Sequence, residues 1–132
     1  MLVGGTTCGI IPAQEALILD AIELARKSVE AASDKQANDI VMLDTREVCS
    51  FADYFVICSG ETRRQIEAIC DEILGVLKKE GTMLRRREGA PGSGWMLMDF
   101  GDVIVHIFST AEREYYQLEK LWSKATPLIR IQ

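Results

Sequence analysis

The sequence predicts an α/β fold with a small mixed β-sheet of four to five strands packed by three helices. Two long segments carry apolar residues at helical spacing, and a third, shorter helix is predicted near the C-terminus. Between these segments stand short, almost wholly apolar runs, which are typical of strands covered on both faces. The order along the chain is helix, two strands, helix, two or three strands, helix. Strands that need cover, alternating with helices, predict a sheet packed by helices.

The length of 132 residues fits one domain. We place this domain at 13–122, between a flexible N-terminal extension over 1–12 and a C-terminal tail over 123–132. Hydrophobic residues make up 48% and charged residues 27% of the chain, a balance that argues against disorder. Apolar runs stay well short of the ~20 residues of a membrane span.

The four cysteines include no C-x-x-C pair, and the chain has one histidine. This spacing disfavours both a zinc site and a disulfide framework. We therefore interpret the cysteines as reduced packing residues, and we expect a cytoplasmic protein without a metal or other cofactor.

The first helix is predicted over 13–32, where one wide apolar stripe faces the core. Two apolar runs follow, over 39–44 and 54–58, and each is short enough for a buried strand. Thr62 and Gln65 then form a capping box that begins the second helix, and Gly81 ends it as a left-handed cap.

An edge strand is predicted over 82–87, because arginines protect sheet edges from pairing with other chains. A glycine-rich loop precedes strands over 95–100 and 103–109, which Gly101 and Asp102 join as a two-residue hairpin turn. A short helix over 112–122 completes the predicted elements, and the segment after Trp122 is assigned to the tail.

Three groups of polar residues are candidates for chemistry. Asp99, Asp102 and His106 have the donor types of a metal site. The alternative, which we favour, is a turn aspartate next to a buried, hydrogen-bonded imidazole, because Asp is common in turns and His106 stands between apolar neighbours.

The second candidate is Ser59-Gly60 before a helix N-terminus, which is a place where anions bind. Nucleotidyltransferases begin their sites in this way, but they also need an Asp-x-Asp pair to hold two metal ions. The sequence after Gly60 lacks that pair, so a plain strand-to-helix turn is favoured over a divergent nucleotidyltransferase.

The third candidate is the basic run Arg85–Arg87, which suits either contact with RNA phosphates or a charged edge strand. The net charge of −5 and the pI of about 4.9 argue against a protein that binds nucleic acid mainly by neutralising phosphates. An acidic chain instead suits a basic partner.

Aromatic residues crowd the C-terminal third of the chain. Trp and Tyr dominate protein interfaces, so both an interface and a core position are open for Trp95 and Tyr116. Trp122 shares a helical face with Leu118 and is assigned to the core.

Several segments together resemble the Iojap-like ribosomal silencing factor family, in order and without large gaps over 13–122. They are Asp39–Asp44, Asp53–Gly60, Arg87–Gly89, the run GWMLMDFGDVIVHIF over 94–108, Arg113, and YQLEKLW over 116–122. The chain departs from the family at Gln65, where the family often has His.

The resemblance implies a repressor of translation rather than an enzyme. Members bind the large ribosomal subunit through its fourteenth protein and block joining with the small subunit when nutrients are limiting. Their fold resembles nucleotidyltransferases without the catalytic carboxylates. The contact residues carry over to Trp95 and Tyr116, with Met96 and Leu118 as weaker candidates. Exposed aromatic residues also leave a homodimer of the free protein open.

Overall fold

Two helices lie on one face of a six-stranded mixed sheet in the computed structural model, which describes residues 20–116 and 125–131. The helices are α1 (Ala21–Asp34), α2 (Arg63–Lys79) and α3 (Thr110–Tyr116), with one 3₁₀ turn over Pro91–Ser93. The strands are β1 (Asn38–Asp44), β2 (Tyr54–Gly60), β3 (Arg86–Ala90), β4 (Trp95–Asp99), β5 (Val103–Ser109) and β6 (Thr126–Ile131).

The strand order is β3-β4-β5-β2-β1-β6, with β3 and β6 at the edges. Only the central pair, β2 and β5, is parallel, and α2, β3 and β4 lie between them along the chain. The other neighbours are antiparallel. This arrangement confirms the predicted mixed sheet and the α/β class.

The prediction of four to five strands is wrong by one. Thr126–Ile131, in the segment that we assign to the tail, pairs antiparallel with β1 and becomes an edge strand. The predicted edge strand over 82–87 also begins later, at Arg86, and extends through the glycine-rich segment to Ala90.

The helices form for the reasons that the sequence indicates. Thr62 caps α2 by accepting the Gln65 backbone N–H at 3.1 Å, which confirms the Thr62 half of the predicted capping box. The Gln65 side chain accepts the N–H of Glu61 rather than that of Thr62. Gly81 has φ +85 directly after the helix, as a left-handed cap requires. The beginning of the predicted first helix and the end of the predicted third helix lie outside the described residues.

The main hydrophobic core lies between α1, α2 and one face of the sheet. Its members are completely or almost completely buried, among them Ala25, Val29, Ile69, Ile73, Met96, Met98 and Val105. A second, smaller cluster occupies the opposite face of the sheet, with Val41, Phe55, Ile57, Ile104 and Phe108. No helix in the described part of the chain is long and apolar enough to span a membrane.

Candidate functional site

Four rings lie together on the sheet face turned away from α1 and α2. Trp95 from β4 stands opposite Phe108 of β5, and Leu97 stands opposite His106 in the same register. Side chains two apart on a strand share a face, so Trp95, His106 and Phe108 come to the same side. Phe55 of β2 completes the group that we call the aromatic face: Phe55, Trp95, His106 and Phe108.

Three rings of the aromatic face, those of Trp95, His106 and Phe108, are stacked, and the fourth is tilted. The Trp95 ring centroid lies 5.4 Å from that of Phe108, at an interplanar angle of 17°. His106 lies 6.0 Å from Trp95 at 29° and 6.2 Å from Phe108 at 12°. Phe55 tilts against His106 at 5.0 Å. Such contacts stabilise a pair of rings beyond their burial. Phe55, His106 and Phe108 are almost completely buried, and Trp95 is the member of the group that is partly exposed.

A hydrogen bond joins two of these rings. The indole Nε1–H of Trp95 donates to Nδ1 of His106 at 3.2 Å. His106 is 4% exposed, and burial lowers its pKa to about 4, so the imidazole is neutral near pH 7. Since Nδ1 accepts, this network assigns the ring proton to Nε2. The prediction of a buried, hydrogen-bonded imidazole is confirmed.

A shallow depression of about 470 Å³ opens beside the aromatic face. Phe51, which is 63% exposed, and Leu97 contribute apolar walls. Arg86 and Asp99 add one charge of each sign. An apolar floor with a few charged groups is the usual anatomy of a protein-binding patch.

Phe51 and Leu97 are not candidates on sequence grounds, whereas Arg86 belongs to the candidate basic run Arg85–Arg87. For Leu97 the alternation along β4 carries a signal, because Trp95, Leu97 and Asp99 must share a face. Arg86 reaches the depression through its pairing opposite Asp99 in the β3–β4 register, and this pairing has no local sequence signature.

Two of the predicted contact residues, Trp95 and Met96, lie on opposite faces of the sheet and differ in burial. Trp95 is half-buried on the aromatic face, whereas Met96 is completely buried in the core beneath the helices. Met96 therefore has no surface to offer a partner, and we remove it from the contact set. Tyr116 ends the described part of α3, but its side chain, like Leu118 and Trp122, lies outside the described residues.

Near the hairpin, the Asp99 carboxylate and the Asp102 backbone carbonyl accept backbone N–H groups. Asp99 Oδ1 accepts the Gly101 N–H at 2.8 Å, and Gly101 has φ +98. The Asp102 backbone carbonyl accepts the N–H groups of Asp53 and Tyr54. Within residues 20–116 and 125–131, no three His, Cys, Asp or Glu side chains are grouped as a metal site would need.

Side chains at the N-terminus of α2 accept two of the backbone N–H groups there. Besides the Thr62 cap, Gln65 Oε1 accepts the Glu61 N–H at 2.7 Å. The Ser59 hydroxyl donates to the Asn38 carbonyl at 3.1 Å. Gln65 Nε2 also donates to the Gln36 carbonyl at 2.8 Å, which ties α2 to the turn before β1. These bonds support the interpretation as a strand-to-helix turn rather than an anion site.

The arginine run divides between the two faces of the edge strand. Arg86 is paired with Asp99 and Arg87 with Met98, so their side chains leave the sheet on opposite sides. Arg86 also forms an ion pair with Glu88 at 3.0 Å. The run is therefore a charged edge strand, not a continuous basic patch.

An ionic cluster that the sequence analysis missed positions the start of α3. Arg113, 6% exposed, lies 3.3 Å from Asp39, and Arg130 of β6 reaches the same carboxylate at 3.2 Å. Asp39 sits at φ +47, where the β1–β2 register shifts. The cluster joins α3, β1 and β6, and so fixes the helix that carries Tyr116 relative to the sheet.

Comparison with known proteins gives consistent matches. A family model described as "Ribosomal silencing factor during starvation" matches residues 18–132. A protein of Halalkalibacterium halodurans named ribosomal silencing factor RsfS is 42% identical over 103 residues, which is 78% of this chain and 88% of the relative. The chloroplastic protein Iojap of Zea mays is 33% identical over 83% of this chain and 47% of its own length.

Solved structures agree with the sequence matches. A crystal structure of a Chromobacterium violaceum protein superposes with a TM-score of 0.76 at 32% identity, covering 80% of this chain and 88% of that one. A Bacillus halodurans protein superposes with a TM-score of 0.72 at 38% identity, covering 82% and 98%.

Proposed function

The chain belongs to the ribosomal silencing factor family, and on this premise we propose that it binds the large ribosomal subunit through that subunit's fourteenth protein. A protein seated there obstructs joining with the small subunit and lowers translation when nutrients are limiting. The action is steric, so it needs occupancy of a surface and no turnover. We place this activity in the cytoplasm.

The position of Trp95 is the observation that supports the proposed contact face. It is the residue that the family resemblance assigns to the contact, and it lies half-buried at the border of a shallow apolar depression. A large ring that is already packed on Phe108 and His106 loses little freedom on binding, which is what interface hot spots require. Tyr116 and Leu118 extend the proposed contact along the chain.

The charge of the chain supports the same partner. Ribosomal proteins are basic, and a net charge of −5 favours their approach. A steric block of this kind needs an interface on the order of 1,200–2,000 Å² in total. Arg86 is ion-paired with Glu88, which gives an RNA-binding module no comparable support. The Asp99 carboxylate is bonded within the turn, which gives a nucleotidyltransferase none either.

The test is sedimentation of the purified protein with separated large and small ribosomal subunits. We expect association with large subunits only. Trp95→Glu and Tyr116→Glu should each keep the fold and abolish association and inhibition of translation, because a glutamate at an interface centre buries an unpaired charge. Truncating such an aromatic residue typically costs about 2 kcal/mol, or roughly thirtyfold in affinity.

Met83→Glu is the matched control. Met83 is 79% exposed on the loop after α2, away from the aromatic face, and the substitution introduces the same charge in place of a large apolar side chain. This variant should bind like the wild type. Association with small subunits alone would refute the proposal. Unchanged binding by both folded glutamate variants would refute the contact face.

A further inference from the structure

We propose that His106 is a positioning residue for partner binding: its Nδ1 accepts the Trp95 indole N–H and holds the indole in the orientation that the partner meets. The inference rests on the proposed function, because it assigns a role to a residue beneath the proposed contact. His106 itself is almost completely buried, so in this proposal it does not touch the partner.

Stacking alone does not fix the orientation of the indole. The parallel packing of Trp95 on Phe108, at 17°, sets the plane of the ring. It does not decide which edge of the indole faces the sheet, because a ring turned over in the same plane stacks equally well. The hydrogen bond to Nδ1 selects one edge, since the indole has a single N–H donor.

The imidazole that makes this bond is itself held rigidly. His106 lies in the middle of β5, paired with Leu97 on one side and Ile57 on the other. Phe55 packs against it at 5.0 Å. Its low pKa, a consequence of burial, keeps the Nδ1 lone pair available near pH 7.

The fold alone gives no reason for a histidine here. Nε2 of His106 is buried and has no hydrogen-bond partner among the described residues. An unsatisfied buried donor is costly, and a leucine would fill an apolar position without that cost. Within the part of the chain that the structure describes, the one polar contact of the ring is the bond to Trp95. The benefit of the histidine therefore lies in what it does to the indole.

An indole fixed before binding loses less freedom when the partner arrives. Removing the acceptor should therefore weaken binding to large subunits by roughly five- to tenfold, the combined effect of one lost hydrogen bond and one freed side chain. The loss should be smaller than that of Trp95→Glu, because the ring itself stays in place.

Two variants of His106 test this proposal. His106→Leu removes the acceptor, whereas His106→Asn places an amide oxygen where Nδ1 stands. We expect His106→Leu to bind large subunits five to ten times more weakly and His106→Asn to bind within about twofold of the wild type. If both variants bind equally weakly, or if His106→Leu binds like the wild type, the proposal is overturned.

Trp95→Phe provides the second arm, because it keeps a ring and removes the N–H. In this background His106→Leu should cause no further loss of affinity. An equal loss in both backgrounds would show that His106 acts independently of the indole. If His106→Leu does not fold, Trp95→Phe alone tests the proposal. It should weaken binding at least fivefold, and unchanged binding would overturn the proposal.

The indole N–H signal separates this proposal from the proposed function. In a ¹H–¹⁵N spectrum, assigned with Trp122→Phe, the Trp95 signal should be protected from exchange in the wild type and in His106→Asn and lose protection in His106→Leu. A wild type that binds large subunits with an unprotected indole overturns the positioning role alone. A wild type with a protected indole that does not bind overturns the proposed function and, with it, the role in binding.

Discussion

The neutral state of His106 couples the stability of the fold to pH. The folded-state pKa is about 4, whereas an unfolded histidine has a pKa of about 6.5. The unfolded chain therefore takes up a proton first as the pH falls. The stabilisation is fully present above pH 6.5 and is lost progressively down to about pH 4.

We expect the free energy of unfolding to fall by about 3 kcal/mol between pH 7 and pH 4 on account of this group alone. Urea unfolding at intervals across this range measures it. His106 is the single histidine of the chain, so no other side chain with an ordinary histidine pKa interferes. The free energy of unfolding of His106→Asn should stay constant from pH 7 to about pH 5, where carboxylates begin to titrate. A variant with the same slope as the wild type would show that another group is responsible.

Residue positions were predictable where a local rule decides them. The apolar neighbours of His106 indicate a buried ring, and the structure confirms it. A second local rule, the alternation of side chains along a strand, excludes Met96 as a contact residue. Neighbours on a strand face opposite sides, and Trp95 lies on the aromatic face. The positions of Phe51 and Arg86 depend on a loop and on strand pairing, which no short sequence window contains.

Among the elements, the β3–β4 hairpin depends on a glycine that touches the backbone of Trp95. Gly89 has φ +83, and a Cβ atom built there would lie 2.1 Å from the Trp95 carbonyl oxygen. Gly89→Ala must therefore move the backbone of Trp95 itself. We expect a loss of stability of about 1–3 kcal/mol and a measurable loss of large-subunit binding, because the indole moves with its backbone.

Gly92→Ala is the matched control in the same turn. A Cβ atom there would meet nothing closer than Arg63 at 3.9 Å. Thermal melts and large-subunit binding of this variant should match the wild type. The role of the hairpin would be contradicted if the two variants behaved alike.

Elements with strong local signals were predicted well, and edge strands were not. The Thr62 cap and the apolar stripe of α2 both lie within its own sequence. Pro127 argues for a break, yet proline is tolerated on an edge strand, where half of the N–H groups face solvent. β6 therefore forms through pairing with β1, and that partner is more than eighty residues away in sequence.

At the scale of the whole molecule, the sheet has one face that packs against the long helices and another that carries the proposed contact. Both long helices cover one side, where the larger of the two clusters of buried residues lies. The aromatic face lies on the other side, beside a depression that the described helices α1 and α2 do not line. The sequence predicts the layers, but the assignment of each strand face depends on the register across β4, β5 and β2.

The net charge of −5 acts on the molecule as a whole, and it should control how fast the partner is found. Attraction between an acidic chain and a basic protein raises the association rate and is screened by salt. We expect the association rate constant with the fourteenth large-subunit protein to fall about tenfold between about 20 and 300 mM salt. The dissociation rate constant, set by packing around Trp95, should change little. Stopped-flow fluorescence measures both.

Charge reversals far from the aromatic face isolate this effect. Glu30 and Asp34 are exposed on α1, on the helix-covered side of the sheet. Glu30→Lys with Asp34→Lys changes the net charge by four units without touching the proposed contact. Association at low salt should slow, the difference from the wild type should vanish at high salt, and dissociation should stay the same. If dissociation changed instead, α1 would have to lie within the interface, and the assignment of the aromatic face as the contact would be wrong.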